Sequence, residues 1–458
     1  MQTDVLIIGS GLAGMAAAYE ASRAGADVMI VEKMPYPGGN SALAGGGFAA
    51  YDCNLHLREK LGGEDDSAEI HADDTIRSGK GGCIEPLVRI MTENGPDAMN
   101  WMLDCGVPFK EIMVKGGGHS AARVYQTSVT GKQMMDAVRA AVLKTGVRLL
   151  LNCRVTGFIP GGDADNRAVI GVKCELDGSE TEIYAKKSII LASGGFAADV
   201  PFRRRFNPAL DENYNCSNHK GATGEVLQMA MEIGADTLNM PFVQLFPSAN
   251  PKSGAVDMWA LRSYDCPGFG GIFVTSEGNR FVNELEGRDV VSDAQIKNTT
   301  RNTWAIIGKA QADIMKMTED NIKTGIRLGR MFRGETIEDL CAQIGADADR
   351  LSDEISQHND FIVLKTADRF NMPWSPLLQP MTEGPFYAIA QWPSVHFTMG
   401  GLSTDEKCRV LDVDGNPISG LYAAGEVCGG VHGKNRLGGN ALTECVVFGK
   451  IAGEEASR

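Results

Sequence analysis

The sequence predicts an α/β protein, a Rossmann-like nucleotide-binding domain interrupted by an inserted α+β domain, and three observations carry that prediction. An apolar strand, a glycine turn and an alanine-rich helix open the chain. A second glycine-rich segment, Val395–Ala452, closes it. Between them, from about residue 237 to 394, the chain turns rich in Pro, Phe and acidic residues, which marks the insertion. The domain boundaries expected on this basis are 1–236, 237–394 and 395–458.

The opening unit reads Val5–Ile8 as a buried strand, Gly9-Ser10-Gly11-Leu12-Ala13-Gly14 as a tight turn, and Met15–Ala24 as a helix. In a dinucleotide fingerprint the first two glycines make the turn and admit a pyrophosphate, and the third lets helix approach strand. The helix N-terminus then faces the phosphate charge. A second strand, Val28–Val31, ends at Glu32, whose carboxylate suits a ribose 2′-hydroxyl and so an unphosphorylated adenosine half. Soon after, Gly38-Gly39-Asn40-Ser41 through Ala44-Gly45-Gly46-Gly47 forms a second glycine loop able to present backbone amides to a cofactor.

From Ser67 to Gly146 the apolar spacing is helical, with helices expected over Leu87–Trp101 and Gln133–Leu143. His119 falls in a glycine-rich loop between them, near a cofactor or substrate mouth. Alternating segments at Leu149–Phe158, Ala168–Leu176 and Glu180–Ala185 predict a small β-meander with a turn at Gly161–Asn166, and Ser188–Leu191 a separate strand of the parallel sheet ending at Ser193-Gly194-Gly195. Gly224-Glu225 opens another helix, Val226–Ile233, and Gly271–Asn283 is hairpin-like.

Composition limits the function. With 458 residues the chain exceeds one ordinary core, and 43% hydrophobic against 22% charged residues is globular. No run approaches the roughly 18 apolar residues of a membrane span. A net charge of −14 disfavours nucleic acid and anionic membranes, though it leaves room for an anionic small molecule held by a few local cations. Asp4 stands where a signal peptide would be basic, so a cytoplasmic address is expected. The 11 cysteines show no C-x-x-C pair, haem attachment or iron–sulfur spacing, and no metal site is expected. Electrons must then come from outside the chain: reduced flavin, an NADH-dependent reductase or a redox protein.

In the closing segment, HFTMGG, GLYAAGEV and HGKNRLGGNA bring glycines for close backbone approach together with His396 and Arg436, donors suited to a carboxylate. With GSGLAG, GGNSALAGGG, ILASGGF, GATGE and EGNRFVNELEGRD, these motifs resemble, in order and approximate spacing over essentially the whole chain, the flavoprotein subunits of the fumarate reductase and succinate dehydrogenase group. The soluble fumarate and urocanate reductases are the most similar members. The resemblance implies an FAD-binding domain and a mobile clamp domain that caps the substrate. It also implies noncovalent FAD, because Asn40-Ser41 stands in the stretch where covalent members carry a histidine. The cofactor contacts it implies are Gly9, Gly11, Ala13, Gly14, Glu32, Lys33, Gly39, Asn40, Ser41, Gly46, Gly47, Val155, Ser193, Gly194, Glu225, Gly425, Glu426, Arg436, Gly439, Ala441 and Leu442.

In those reductases hydride passes from flavin N5 to the β-carbon of an α,β-unsaturated acid and an arginine protonates the α-carbon. The motif puts that arginine at Arg288, the alternative being an ion pair with Glu284 or Glu286. His396 and Arg436 match the pair that binds the substrate carboxylate. Glu426 matches the acceptor for ribityl or ribose hydroxyls, and the helix starting near Asn440 matches the one facing N1–O2 of reduced flavin. Departures are informative. The histidine of Q-x-H-P-T that grips a second carboxylate is Phe246, the threonine and glutamate downstream are Ser263 and Tyr264, and a relay arginine is Pro267. The expected pocket residues are therefore Phe246, Ser263, Tyr264 and His119, with Asp265 the nearest candidate to carry protons to Arg288. An arylacrylate- or urocanate-like monocarboxylate is the expected substrate. The alternatives are a fumarate reductase or dicarboxylate dehydrogenase, a ketosteroid desaturase, and a non-catalytic electron carrier. Ketosteroid dehydrogenases share the FAD segments but use tyrosines where this chain has Arg288 and the His396/Arg436 pair.

Overall fold

The computed structural model describes residues 1–61, 64–161, 168–300 and 302–458. The chain forms two compact units: Met1–Asp211 with Asn218–Gln244 and Phe397–Arg458, and Glu212–Ser217 with Leu245–His396.

The first unit is built on a sheet whose strand order is Arg409–Leu411, Pro417–Ala423, Ser179–Leu191, Gln2–Ile8, Val28–Val31 and Arg148–Leu150. From Pro417–Ala423 onward every neighbouring pair is parallel. Strands covered on both faces read as continuous apolar runs, and Val5, Leu6, Ile7 and Val28–Val31 are all buried. On one face helix Leu12–Arg23 lies against helix Asn440–Ala456. Gly449 and Gly453, one turn apart, make this close packing possible. A side chain at Gly449 would sit 2.6 Å from the Ala13 carbonyl oxygen, and one at Gly453 would strike the Ala17 backbone. The two chain ends that share the glycine motifs are thus locked helix to helix.

Several sequence expectations are corrected by the structure. Glu180–Ala185 and Ser188–Leu191 are not separate strands but one, Ser179–Leu191. Lys186 and Lys187, between the two expected segments, fall where the register against Gln2–Ile8 shifts between Thr3 and Val5, so the ladder absorbs them in a bulge. The expected strand Leu149–Phe158 is two: Arg148–Leu150 edges the parallel sheet, while Cys153–Pro160 pairs antiparallel with Val169–Leu176. The predicted turn at Gly161–Asn166 lies, apart from Gly161, outside the described residues.

The expected helix Leu87–Trp101 is also two, Glu85–Glu93 and Gly95–Asp104. Pro96 lacks the amide a continuous helix would need and fits instead in a first turn. Within the stretch read as helical, Phe109–Val114 and Val124–Thr127 form a three-stranded antiparallel sheet with Gly47–Ala49.

The second unit has a five-stranded sheet, Val243–Ala249, Phe386–Thr398, Thr303–Ile307 and Ile272–Val274 in order, with Met331–Gly334 also on Phe386–Thr398. Side chains alternate across it. Phe273, Ala305, Ile307 and Ile389 pack on one face with Trp259 and Val291, and Ile272, Val274, Ile306 and Ala388 pack on the other with Leu340 and Leu351. The hairpin expected at Gly271–Asn283 is reduced to a bridge between Val274 and Arg280, because Ile272–Val274 pairs with Thr303–Ile307 instead. Arg280 then anchors the following loop. It donates to Glu284 at 2.8 and 2.9 Å and to Asp368 at 2.8 Å, all three side chains being buried. This network shapes the loop that delivers Arg288 to the start of helix Arg288–Asn298.

Among the described residues no helix is long and apolar enough to cross a membrane, and no group of His, Cys, Asp and Glu is arranged to hold a metal ion.

Candidate active site

The first unit holds an open cavity of about 920 Å³ at the ends of strands Gln2–Ile8 and Val28–Val31. Its floor is the glycine turn. Gly9 adopts φ +107°, and a side chain there would collide with the Ala192 carbonyl; one at Gly14 would collide with the Gly9 carbonyl. Gly11 is different: its φ is −67°, and a Cβ would find only Ser41 Oγ, 3.8 Å away. The first and third glycines serve the fold, and the second leaves space in the cavity.

Glu32 sits at the rim, buried. Its Oε2 accepts from Ser10 N at 3.1 Å and Ser10 Oγ at 2.6 Å, and its Oε1 accepts from Met34 N. Lys33 and Arg154 both pair with Glu225, at 3.1 and 2.8 Å; burial works against that carboxylate's charge, but the two cations hold its pKa below the usual range. Opposite, the Glu426 Oε1 accepts from Thr398 N and its Oε2 from Asn40 Nδ2. Burial raises the Glu426 pKa. Asn40 also accepts from His219 N at 2.8 Å and donates to Asn218, tying the second glycine loop to the residues just before the GATGE segment.

Arg436, buried in the same unit, is held by Gln244. Its Nη2 donates to Gln244 Oε1 at 3.0 Å, and Gln244 Nε2 donates to Arg436 O and Asn435 Oδ1. Its guanidinium also lies 4.5 Å from the centre of the Phe397 ring.

His119, expected near a cofactor or substrate mouth, is buried. Arginine can only donate, so Arg123 Nη1, 2.8 Å away, fixes His119 Nδ1 as an acceptor, and His119 Nε2–H donates to Gly438 O at 2.9 Å. Burial, and next the Arg123 charge, push its pKa down to about 4. Both ring nitrogens are thereby spent on the protein.

In the second unit an aromatic cluster surrounds Arg288. The guanidinium lies 5.0 Å from the Phe246 ring centre and 5.1 Å from that of Tyr264, and Arg288 Nε donates to Tyr264 Oη at 3.3 Å. Phe246 stacks at a tilt on Tyr264 (5.1 Å) and on His396 (5.2 Å), and His396 Nδ1 is 2.8 Å from Ser217 Oγ. Glu284, the suspected structural partner of Arg288, is bound to Arg280. Ser263, expected in the pocket, is fully buried and donates to Gln391 Oε1. Asp265 is exposed at the end of helix Met258–Asp265.

The FAD binding domain family matches residues 4–442. A probable fumarate reductase of Shewanella frigidimarina is 33% identical over all of this chain and 75% of its own length. The chain belongs to the FAD-dependent fumarate reductase family. A urocanate reductase of Eggerthella lenta is 34% identical over 99% of this chain and 74% of its own, and the acrylate reductase flavoprotein subunit of Shewanella woodyi is 33% identical over 98% and 90%. Among solved structures, the open conformation of a flavocytochrome c3 fumarate reductase matches with a TM-score of 0.80 and 32% identity, covering 100% of this chain and 78% of that one.

This flavoprotein's cofactor is FAD, and the cavity fits it. Ser193 Oγ and His219 Nε2, both at its wall, are buried with no hydrogen-bond partner among the described residues. His219 Nδ1 accepts from Gly221 N, so the ring proton sits on Nε2 as an unused donor. Of the cofactor residues expected, Gly9, Gly11, Ala13, Glu32, Lys33, Gly39, Asn40, Ser41, Val155, Ser193, Gly194, Glu225 and Glu426 line this cavity. Gly14, Gly46, Gly47, Gly425, Arg436, Gly439, Ala441 and Leu442 are not among its lining residues; Gly439 backs onto Ala49 and Gly46 onto Thr127. Ser10, Cys153, His219 and Cys445 line it without having been anticipated. Nothing in their local sequence marks them, except that Ser10 lies inside the fingerprint.

Proposed function

We propose that the enzyme reduces the C=C bond of an α,β-unsaturated monocarboxylate whose far end is aromatic or apolar, an arylacrylate- or urocanate-like acid. The observation that carries this reading is the Phe246–Tyr264 pair stacked about Arg288; by resemblance Phe246 stands at the histidine that grips a second carboxylate in dicarboxylate reductases. Aromatic faces favour a flat ring and offer an anion no donor. Noncovalently bound FAD supplies the hydride, replenished by an external reductant. Arg288 supplies the α-carbon proton, and His396 and Arg436 bind the carboxylate. Charge-assisted bonds to that carboxylate draw electron density from the double bond and stabilise the charge that develops on it. Gln244 keeps the Arg436 fork fixed and so lowers the cost of ordering it.

Turnover of fumarate, acrylate, urocanate and cinnamate with reduced viologen tests the substrate class. The ring-bearing acids should lead, and a large preference for fumarate would overturn it. Phe246→His probes the same point within the site. It should weaken the ring-bearing acid, by removing an apolar contact and introducing a polar group that needs a partner, while raising the relative kcat/KM for fumarate. An efficient fumarate reductase is not expected, because Tyr264 and Pro267 are unchanged. An unaltered ratio between the two substrates would remove Phe246 from the pocket.

A further inference from the structure

We propose that Gln295 is a positioning residue for Arg288, joining the helix that carries Arg288 to the strand that carries Phe246. This rests on the reading of Arg288 as the proton donor. Arg288, Ser292 and Gln295 stand at positions i, i+4 and i+7 of helix Arg288–Asn298 and so share one face. Two turns on from Arg288, the buried Gln295 amide uses both of its N–H bonds: Nε2 donates to Pro247 O at 3.1 Å and to Thr303 Oγ1 at 2.7 Å. Pro247 follows Phe246 in Val243–Ala249, the end strand of the five-stranded sheet. A carbonyl oxygen can only accept, so Pro247 fixes which way round the amide sits.

The same layer reaches the second ring of the cluster. Thr303 and Gln391 are partners across the sheet, on the face that Ala305 and Ile389 line. Thr303 Oγ1 donates to Gln391 O at 3.4 Å, and Ser263, the residue before Tyr264, donates to Gln391 Oε1. Gln295, Thr303, Gln391 and Ser263 are all fully buried. Gln295 Oε1 has no hydrogen-bond partner among the described residues, so this amide is costlier to bury than an apolar side chain of the same size. Its place in the core is explained by what Nε2 holds. The Arg288 guanidinium lies 5.0 Å from the Phe246 ring centre, and the Gln295 link keeps the helix from slipping along the strand and changing that distance. A misplacement of about 1 Å at a reacting group costs as much as roughly 10²-fold in rate.

Gln295→Leu nearly keeps the size of the side chain and removes the link. With whichever of fumarate, acrylate, urocanate or cinnamate the wild type reduces fastest, kcat per bound flavin should fall at least about tenfold. KM should stay within about twofold, since His396 and Arg436 are untouched. Leu340→Ala, which opens a cavity on the opposite face of the same sheet, should lower the melting temperature and leave kcat per flavin at the wild-type value. Because Gln295 acts through Arg288, adding Gln295→Leu to Arg288→Ala should cost nothing more, whereas a general structural fault would lower turnover again. In Gln295→Glu the carboxyl can donate to Pro247 O only while protonated, the form burial favours, so its kcat relative to Gln295→Leu should rise as pH falls. Wild-type kcat in Gln295→Leu, or a further loss in the double variant, would overturn the positioning role and leave the reading of Arg288 standing. If Arg288→Ala itself turns over normally, that reading fails first, and the positioning role with it.

Discussion

Arg288→Ala should purify with FAD bound, its flavin should be bleached by dithionite, and its turnover should be lower by roughly 10²–10⁴-fold, the usual worth of a positioned general acid. Arg288 is the first residue of helix Arg288–Asn298, a position alanine occupies readily, and the buried Arg280–Glu284–Asp368 network that shapes the preceding loop is untouched. Stability should therefore change little, and the loss should fall on chemistry. Arg288→Lys should do no better. An ammonium cannot spread over the Phe246 and Tyr264 rings as the wider guanidinium can, and it lacks the Nε–H that donates to Tyr264 Oη. Steady-state rates together with flavin content decide the matter, and a variant within a fewfold of wild type would make Arg288 structural.

Gly11→Val should give a folded, colourless protein. Gly11 has ordinary backbone angles, and a side chain there meets only Ser41 Oγ at 3.8 Å, so the apoprotein tolerates it. The added methyls enter the cavity beside the helix N-terminus that faces the cofactor phosphates. Gly14→Val is the contrasting case: its side chain would be driven into the Gly9 carbonyl, so it should fail to fold. Absorbance at the flavin band and thermal melting separate the two, and full flavin occupancy in Gly11→Val would refute the fingerprint assignment.

The parts of the site legible in the sequence were those whose physics is local. The glycine turn and Glu32 each announce themselves within a few residues of chain, because backbone approach and strand ends need particular residues at particular steps. Residues whose role depends on distant partners stayed hidden. Gln244 orients Arg436, His219 owes its free ring proton to Gly221, and His119 is claimed by Arg123 and Gly438. No short-range pattern separates these from ordinary loop residues. The errors in secondary structure have the same origin. Pro96 splits an apolar run whose spacing reads as one helix, and a bulge at Lys186 and Lys187 joins two segments that read as separate strands.

The most direct test of this enzyme as a reductase of unsaturated carboxylates is reoxidation of its own flavin. Protein reduced with dithionite under anaerobic conditions is mixed with fumarate, acrylate, urocanate or cinnamate, and the return of flavin absorbance is followed. The account predicts rapid, acid-dependent reoxidation, fastest with a ring-bearing monocarboxylate and lost in Arg288→Ala. A flavin that stays reduced with every acid would contradict it, and would mark the protein as an electron carrier.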